Sequence, residues 1–173
     1  YRLESIEPVP NSDVAVVLYN YSDGAWSGSW ATINDRVPRA EGYFAWPFYN
    51  GTITFNNDYN TDKTVDYSLN NSTITVTRDV ITSTSSNPNG NWMSLANPYP
   101  AELDIARFLS DNSEADLQSG LQGDLQGEVV YIFNGSSFGV KNIGSLPVCE
   151  GFFVNFSSGG ENKSVTFKKT QMT

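Results

Sequence analysis

The sequence predicts an all-β protein: a β-sandwich of two pseudo-repeats, mostly antiparallel, with one short helix after Pro100. Three observations carry that prediction. Short runs rich in Thr, Val, Ile and aromatic residues are separated by Gly, Asn and Pro turn signals. A pattern in the first half of the chain returns in the second. The length, 173 residues with 39% hydrophobic content, suits one domain with a shared core rather than two independent ones.

Taken along the chain, strands are expected at 14–20, 43–48, 52–56, 64–69, 73–77, 92–96, 129–134, 152–156 and 164–168. In Thr52-Ile53-Thr54-Phe55 and Thr73-Ile74-Thr75-Val76 the alternation puts Thr toward solvent and the apolar residue inward. Turns are expected at Asp23-Gly24, Asn50-Gly51, Asn70-Asn71, 87–90, Asn134-Gly135 and 158–160. The Gly- and Ser-rich stretch 21–30 is expected to be a turn carrying Trp26 and Trp30. Leu103, Ile105, Phe108 and Leu109 have near-helical spacing behind Pro100. Pro is favourable in a first helical turn, where its missing N–H would have no partner anyway. The polar stretch 111–128 reads as a loop with a frayed turn.

The repeat is most explicit around two Glu-Gly pairs. Val37-Pro38 leads to Glu41-Gly42-Tyr43-Phe44, and Leu146-Pro147 leads at the same spacing to Glu150-Gly151-Phe152-Phe153. Thr52–Phe55 then matches Ser164–Phe167, and Val16–Asn20 matches the run that ends at Asn134. Pro holds an extended approach, and Gly allows a backbone angle or close contact that a Cβ would forbid. Two such units cannot each close a core, so face-to-face packing follows. The expected organisation is one module spanning 1–173, with pseudo-repeats at about 1–90 and 91–173, cut from a longer chain.

Composition excludes several functions. Ten Lys and Arg against nineteen Asp and Glu give a net charge of −9, which disfavours nucleic acid and anionic membrane surfaces. No apolar run reaches the roughly 18 residues of a membrane span. The chain has no His, which removes Ser-His-Asp and Cys-His catalysis and every His-ligated metal. Its single Cys forms neither an intrachain disulfide nor a thiolate zinc site. Cys149 aligns with Ala40 in the repeat, and a small, buried, inert side chain is expected there. Glu41 and Glu150 are equivalent carboxylates, but each precedes Gly where a polar turn residue belongs. Neither is marked for the raised pKa that glycoside hydrolysis needs.

The stretch Trp92–Pro100, WMSLANPYP, resembles a region of large exported surface proteins of Bacteroidota. There a W-N-L-x-x-N-P-Y-P segment precedes a short Asp-containing helix, a Tyr-x-aromatic-Asn-Gly turn, a Gly-Phe-Phe-Val strand and a Thr-Phe strand. The counterparts here are Asn97–Pro100, Asp104, Tyr131–Gly135, Leu146–Val154 and Val165–Phe167, with Glu41–Tyr43 and Gly51–Phe55 upstream. Met93-Ser94 stands where the family usually has Asn-Leu. The resemblance implies a non-catalytic β-rich module, an extracellular or cell-surface location, export by type IX secretion, and other domains of the same long chain as partners. In the Asn-Pro-Tyr-Pro segment itself, Asn97 is pushed out of helical geometry by Pro98. Its amide is expected to satisfy backbone groups at a corner.

Two ligand sites are read from residue types. Trp26 and Trp30, with Asp23 nearby, are candidates for stacking on a neutral glycan; the competing reading has the indoles capping the core. Asp58, Asn60 and Asp62 have the spacing that opens a calcium loop. Lys63 replaces the sixth-position Gly and Leu69 the twelfth-position Glu, so a solvated hairpin loop is the favoured reading and no cofactor is expected. The functional expectation is a structural or adhesion module. The alternative is a carbohydrate-binding module attached to an exported enzyme or adhesin.

Overall fold

The computed structural model describes residues 40–42, 73–86, 88, 90–119 and 127–173 in full; elsewhere it describes the backbones of 2–7, 14–20, 25–30, 43–47 and 52–56. The strands are β1 (Arg2–Glu7), β2 (Val14–Asn20), β3 (Ala25–Trp30), β4 (Tyr43–Pro47), β5 (Thr52–Asn56), β6 (Thr73–Val80), β7 (Trp92–Ala96), β8 (Leu103–Asp104), β9 (Val130–Phe133), β10 (Phe138–Lys141), β11 (Ser145–Leu146), β12 (Gly151–Asn155) and β13 (Gly160–Lys168). The one α-helix among the described residues is α1 (Ile105–Asp111). Every strand pairing among the described residues is antiparallel, and the fold is all-β.

The sheets run in the orders β1-β5, β3-β2-β4, β10-β9-β12-β7, β11-β8 and β13-β6. The expected strands 14–20, 52–56 and 92–96 have those bounds, and 73–77 continues to Val80. The expected strand at 64–69 lies outside the described residues. In β6 the Thr residues are exposed and Val76 and Val80 are buried, as alternation on a half-buried strand requires.

Two expectations are corrected. The stretch around Trp26 and Trp30 is not a turn. It is strand β3, with Trp26 opposite Tyr19 and Trp30 opposite Val17. The helix starts later than Pro100, because Leu103-Asp104 first pairs with Ser145-Leu146. Its N-cap is Asp104, whose carboxylate accepts from the Arg107 amide at 3.1 Å, satisfying a donor that has no partner within the helix.

A helix of seven residues is marginal in water by itself. It is held by burial of Ile105, Phe108 and Leu109. Phe108 lies 5.4 Å from Phe152 and 5.1 Å from Phe167, ring centre to ring centre, and those two rings are 6.2 Å apart. Phe152 belongs to the four-stranded sheet and Phe167 to the β13-β6 pair, so the three rings join two sheets beneath the helix. Offset and edge-on aromatic contacts add about 0.5–1.5 kcal/mol per pair beyond area burial.

Asn112, just past the helix, is 4% exposed. Its amide donates to the Phe108 and Thr166 carbonyls at 2.8 and 2.9 Å and accepts from the Thr166 N–H at 2.7 Å. It thus pairs with β13 as a peptide group would. Gln171 is fully buried and works similarly, accepting from the Lys168 N–H at 3.0 Å and donating to Asp111 at 2.8 Å. That bond, together with the Lys168 ammonium at 3.0 Å, holds the Asp111 carboxyl below its ordinary pKa against an opposing effect of burial.

The longest ladder, β6 with β13, crosses the expected boundary at 90/91. A fragment 91–173 therefore loses the only strand paired with β13 among the described residues. It is expected to melt without cooperativity, whereas the full chain should give a single cooperative transition. Circular dichroism melts of the fragment and of the full chain check this, and a cooperative melt of 91–173 would contradict it.

Candidate functional site

Strand β7 and the corner that follows it hold the residues on which the sequence reading concentrated. Met93, Ser94 and Leu95 are all buried, so β7 is covered on both faces. On one edge it pairs with β12, Gly151 opposite Ala96 and Phe152 opposite Leu95. On the other edge Glu41 bridges to Leu95. The Ala96 N–H donates to the Ala40 carbonyl at 2.9 Å, and the next amide, Asn97, donates to the Glu150 carbonyl at 3.0 Å. Both Glu-Gly segments of the repeated pattern therefore seat on the same strand.

Their glycines face different constraints. A Cβ on Gly42 would lie 2.3 Å from Ser94 Oγ and 2.8 Å from the Leu95 carbonyl oxygen, whereas one on Gly151 would meet that oxygen at 3.8 Å. Close approach to β7 therefore requires glycine at 42 and leaves room at 151. Ala40 and Cys149, which precede the two Glu residues, both have left-handed backbone angles, φ 68° and 61°.

Asn97 is 3% exposed. Its Oδ1 accepts from the Tyr99 N–H at 3.1 Å. The two protons of Nδ2 are shared among the carbonyls of Ala101 at 2.8 Å, Pro147 at 3.0 Å and Leu146 at 3.2 Å. The expectation of backbone bonding at this corner is met. The amide also reaches across to the end of β11, which sequence proximity did not suggest.

The two carboxylates have different surroundings. Glu41 is gripped by Arg78, whose Nη2 pairs with Oε1 and whose Nε donates to Oε2 at 3.2 Å. Glu150 is half-buried at its turn, where its N–H donates to the Pro147 carbonyl at 3.1 Å. Cys149 is exposed, which corrects the expectation of a buried thiol. Ala40 is covered by its contact with β7, while Cys149 lies on a turn with Pro147 and Val148, themselves exposed. Equal positions in a repeat do not ensure equal cover.

The side chains of Trp26 and Trp30 lie outside the described residues, as do Asp23 and the calcium candidates Asp58, Asn60 and Asp62. Among the described residues no group of three or more His, Cys, Asp or Glu is placed to hold a metal.

A row of rings across β7, β12, β9 and β10 escaped the sequence reading. Trp92 contacts Tyr131 at 4.7 Å and Phe153 at 6.2 Å. Phe138 contacts Phe153 at 5.5 Å and Phe133 at 5.3 Å. The row runs from half-buried Trp92 to exposed Phe133 and Phe138, 42% and 49% accessible. Burial raises the Tyr131 phenol above its ordinary pKa. A signal was present: the repeat aligns Phe133 with Tyr19, which is paired with Trp26. In the orientation that satisfies its hydrogen bonds, the Asn155 amide accepts from Trp92 Nε1 at 3.3 Å and donates to the Phe156 carbonyl at 3.2 Å and to Gln118, which anchors the buried end of the row.

No protein-family model, curated protein or solved structure shows significant similarity to this chain.

Asn97→Ala leaves buried carbonyls and the Tyr99 N–H without their partner, and each buried group left unpaired costs about 1–3 kcal/mol. Asn97→Asp keeps the shape but sets a carboxylate against carbonyl oxygens. It is expected to destabilise at least as much at neutral pH, with partial relief in acid as the protonated group becomes a donor. Urea melts of both variants check this, and wild-type stability of Asn97→Asp would contradict it.

Proposed function

We propose that the chain is a non-catalytic β-sandwich module built from two pseudo-repeats, serving as a structural or adhesion unit of a large exported cell-surface protein. The observation that carries this reading is the use made of its signature residues. The amide of Asn97, in the Asn-Pro-Tyr-Pro segment, fastens three main-chain carbonyls. In the Glu-Gly motif, Glu41 is bound by Arg78, and Gly42 lies against Ser94. These are architectural roles. The resemblance to exported Bacteroidota modules supports the surface location, type IX export and partnership with other domains of the same chain.

Equivalent rungs support the two pseudo-repeats. Val17 opposes Phe44 as Tyr131 opposes Phe153, and Tyr19 opposes Trp26 as Phe133 opposes Phe138. Phe55 opposes Leu3 as Phe167 opposes Ile74. On this reading β1 corresponds to β6, and the boundary between copies lies within 57–72 rather than at 90/91. The sandwich is supported by Phe152 and Phe167, which bring two sheets into side-chain contact.

The second reading, a carbohydrate-binding module, is favoured by the exposed pair Phe133 and Phe138. The first reading is tested on intact cells producing the full-length protein, with antibodies against 73–173. Labelling without permeabilisation is expected. Labelling only after lysis would overturn the surface assignment.

A further inference from the structure

We infer that Phe133 and Phe138, at the turn end of the β9–β10 hairpin, form a binding platform for a neutral glycan. The inference rests on the carbohydrate-binding reading above and gives it a site. The two residues face each other across the hairpin as the last rung before the turn. Their rings are 5.3 Å apart and inclined at 51°, so a sugar ring stacked on one meets the edge of the other. The pair does not stand alone. Phe153 braces Phe138 edge-on at 5.5 Å, with Trp92 behind Phe153. A ring already fixed in place loses little freedom on binding.

The polar surroundings suit hydroxyl groups. In the adjoining turn the Asn134 side chain accepts from the Ser136 and Ser137 amides at 3.0 and 2.9 Å. The Ser136 hydroxyl donates to Asn134 at 3.1 Å, which leaves its oxygen lone pairs to accept from a sugar hydroxyl. Two rings bordered by Asn and Ser match a pyranose face in size, and they fall far short of the roughly 1,000 Å² of a stable protein interface. The net charge of −9 turns away polyanions.

An independent observation adds weight. The hairpin β2–β3 places Tyr19 opposite Trp26, and the repeat aligns Tyr19 with Phe133 and Asn20 with Asn134. An aromatic rung followed by Asn therefore occurs at the same place in both halves. Nothing in strand pairing by itself requires large rings beside a turn.

The test is affinity electrophoresis of the whole chain through gels containing β-glucan, xylan, galactomannan or polygalacturonate, with Phe133→Ala, Phe138→Ala, Phe138→Trp and Trp26→Ala. Retardation by at least one neutral polysaccharide is expected. It should weaken about tenfold in each Phe→Ala variant and strengthen in Phe138→Trp. Both rings are exposed, and a circular dichroism melt identifies any variant that has unfolded; for such a variant, Phe138→Trp remains the deciding comparison. Retardation unchanged in the Phe133 and Phe138 variants but lost in Trp26→Ala would overturn this site and leave the carbohydrate reading standing. No retardation by any neutral polysaccharide, or retardation by polygalacturonate alone, would overturn both.

Discussion

Two successive amides at the end of β7 hold the molecule in register. Alternate N–H groups of a strand point to opposite edges. Here Ala96 donates to Ala40 and Asn97 to Glu150, so one short strand fastens a segment of the first half and a segment of the second. The segment at 40–42 can approach only because residue 42 lacks a side chain. Ser94 then fits under it, and Met93 and Leu95 enter the core. The sheet order β10-β9-β12-β7 places this strand at an edge, yet its outer side is not bare.

The rest of the described structure extends that fastening with buried amides rather than buried charges. Asn97 ties the corner after β7 to the end of β11, Asn112 ties the end of α1 to β13, and Gln171 ties the last turn back to α1. An amide offers both donors and acceptors without the several kcal/mol that desolvating an ion costs. Between these ties lies the Phe108, Phe152 and Phe167 cluster. Most of the ionised groups among the described residues lie toward the surface, and in the Glu41–Arg78 pair the arginine side chain stays 36% accessible while the glutamate is 11% accessible.

Much of the all-β architecture was legible because Thr-apolar alternation and Asn-Gly turns act locally. β5 is found with the expected bounds for that reason, and β7, an apolar run behind Asn89-Gly90, is found with its expected bounds too. What depends on distant partners was not legible. Trp26 and Trp30 sit among Gly and Ser that favour a turn, and pairing with β2 makes them a strand. Pro100 looked like a helix start until β11 drew Leu103 and Asp104 into a ladder. Cys149 matched Ala40 in backbone angle but not in cover. Of the candidate site, the structural role of Asn97 was readable from its neighbours Pro98 and Pro100. The ring pair Phe133 and Phe138 was missed because β10 contains Gly139 and is only four residues long, too weak a pattern to announce a strand.

The main consequence of this arrangement is that β7 binds both halves into one cooperative unit. The most direct measurement is native-state hydrogen exchange read by NMR at the Ala96 and Asn97 amides. If β7 is the common fastening, both amides exchange only through global unfolding, with the same free energy as the Val165 and Phe167 amides in β13. Exchange of Ala96 through a smaller, separate opening while Asn97 stays protected would show that the 40–42 segment detaches by itself, and would contradict the claim.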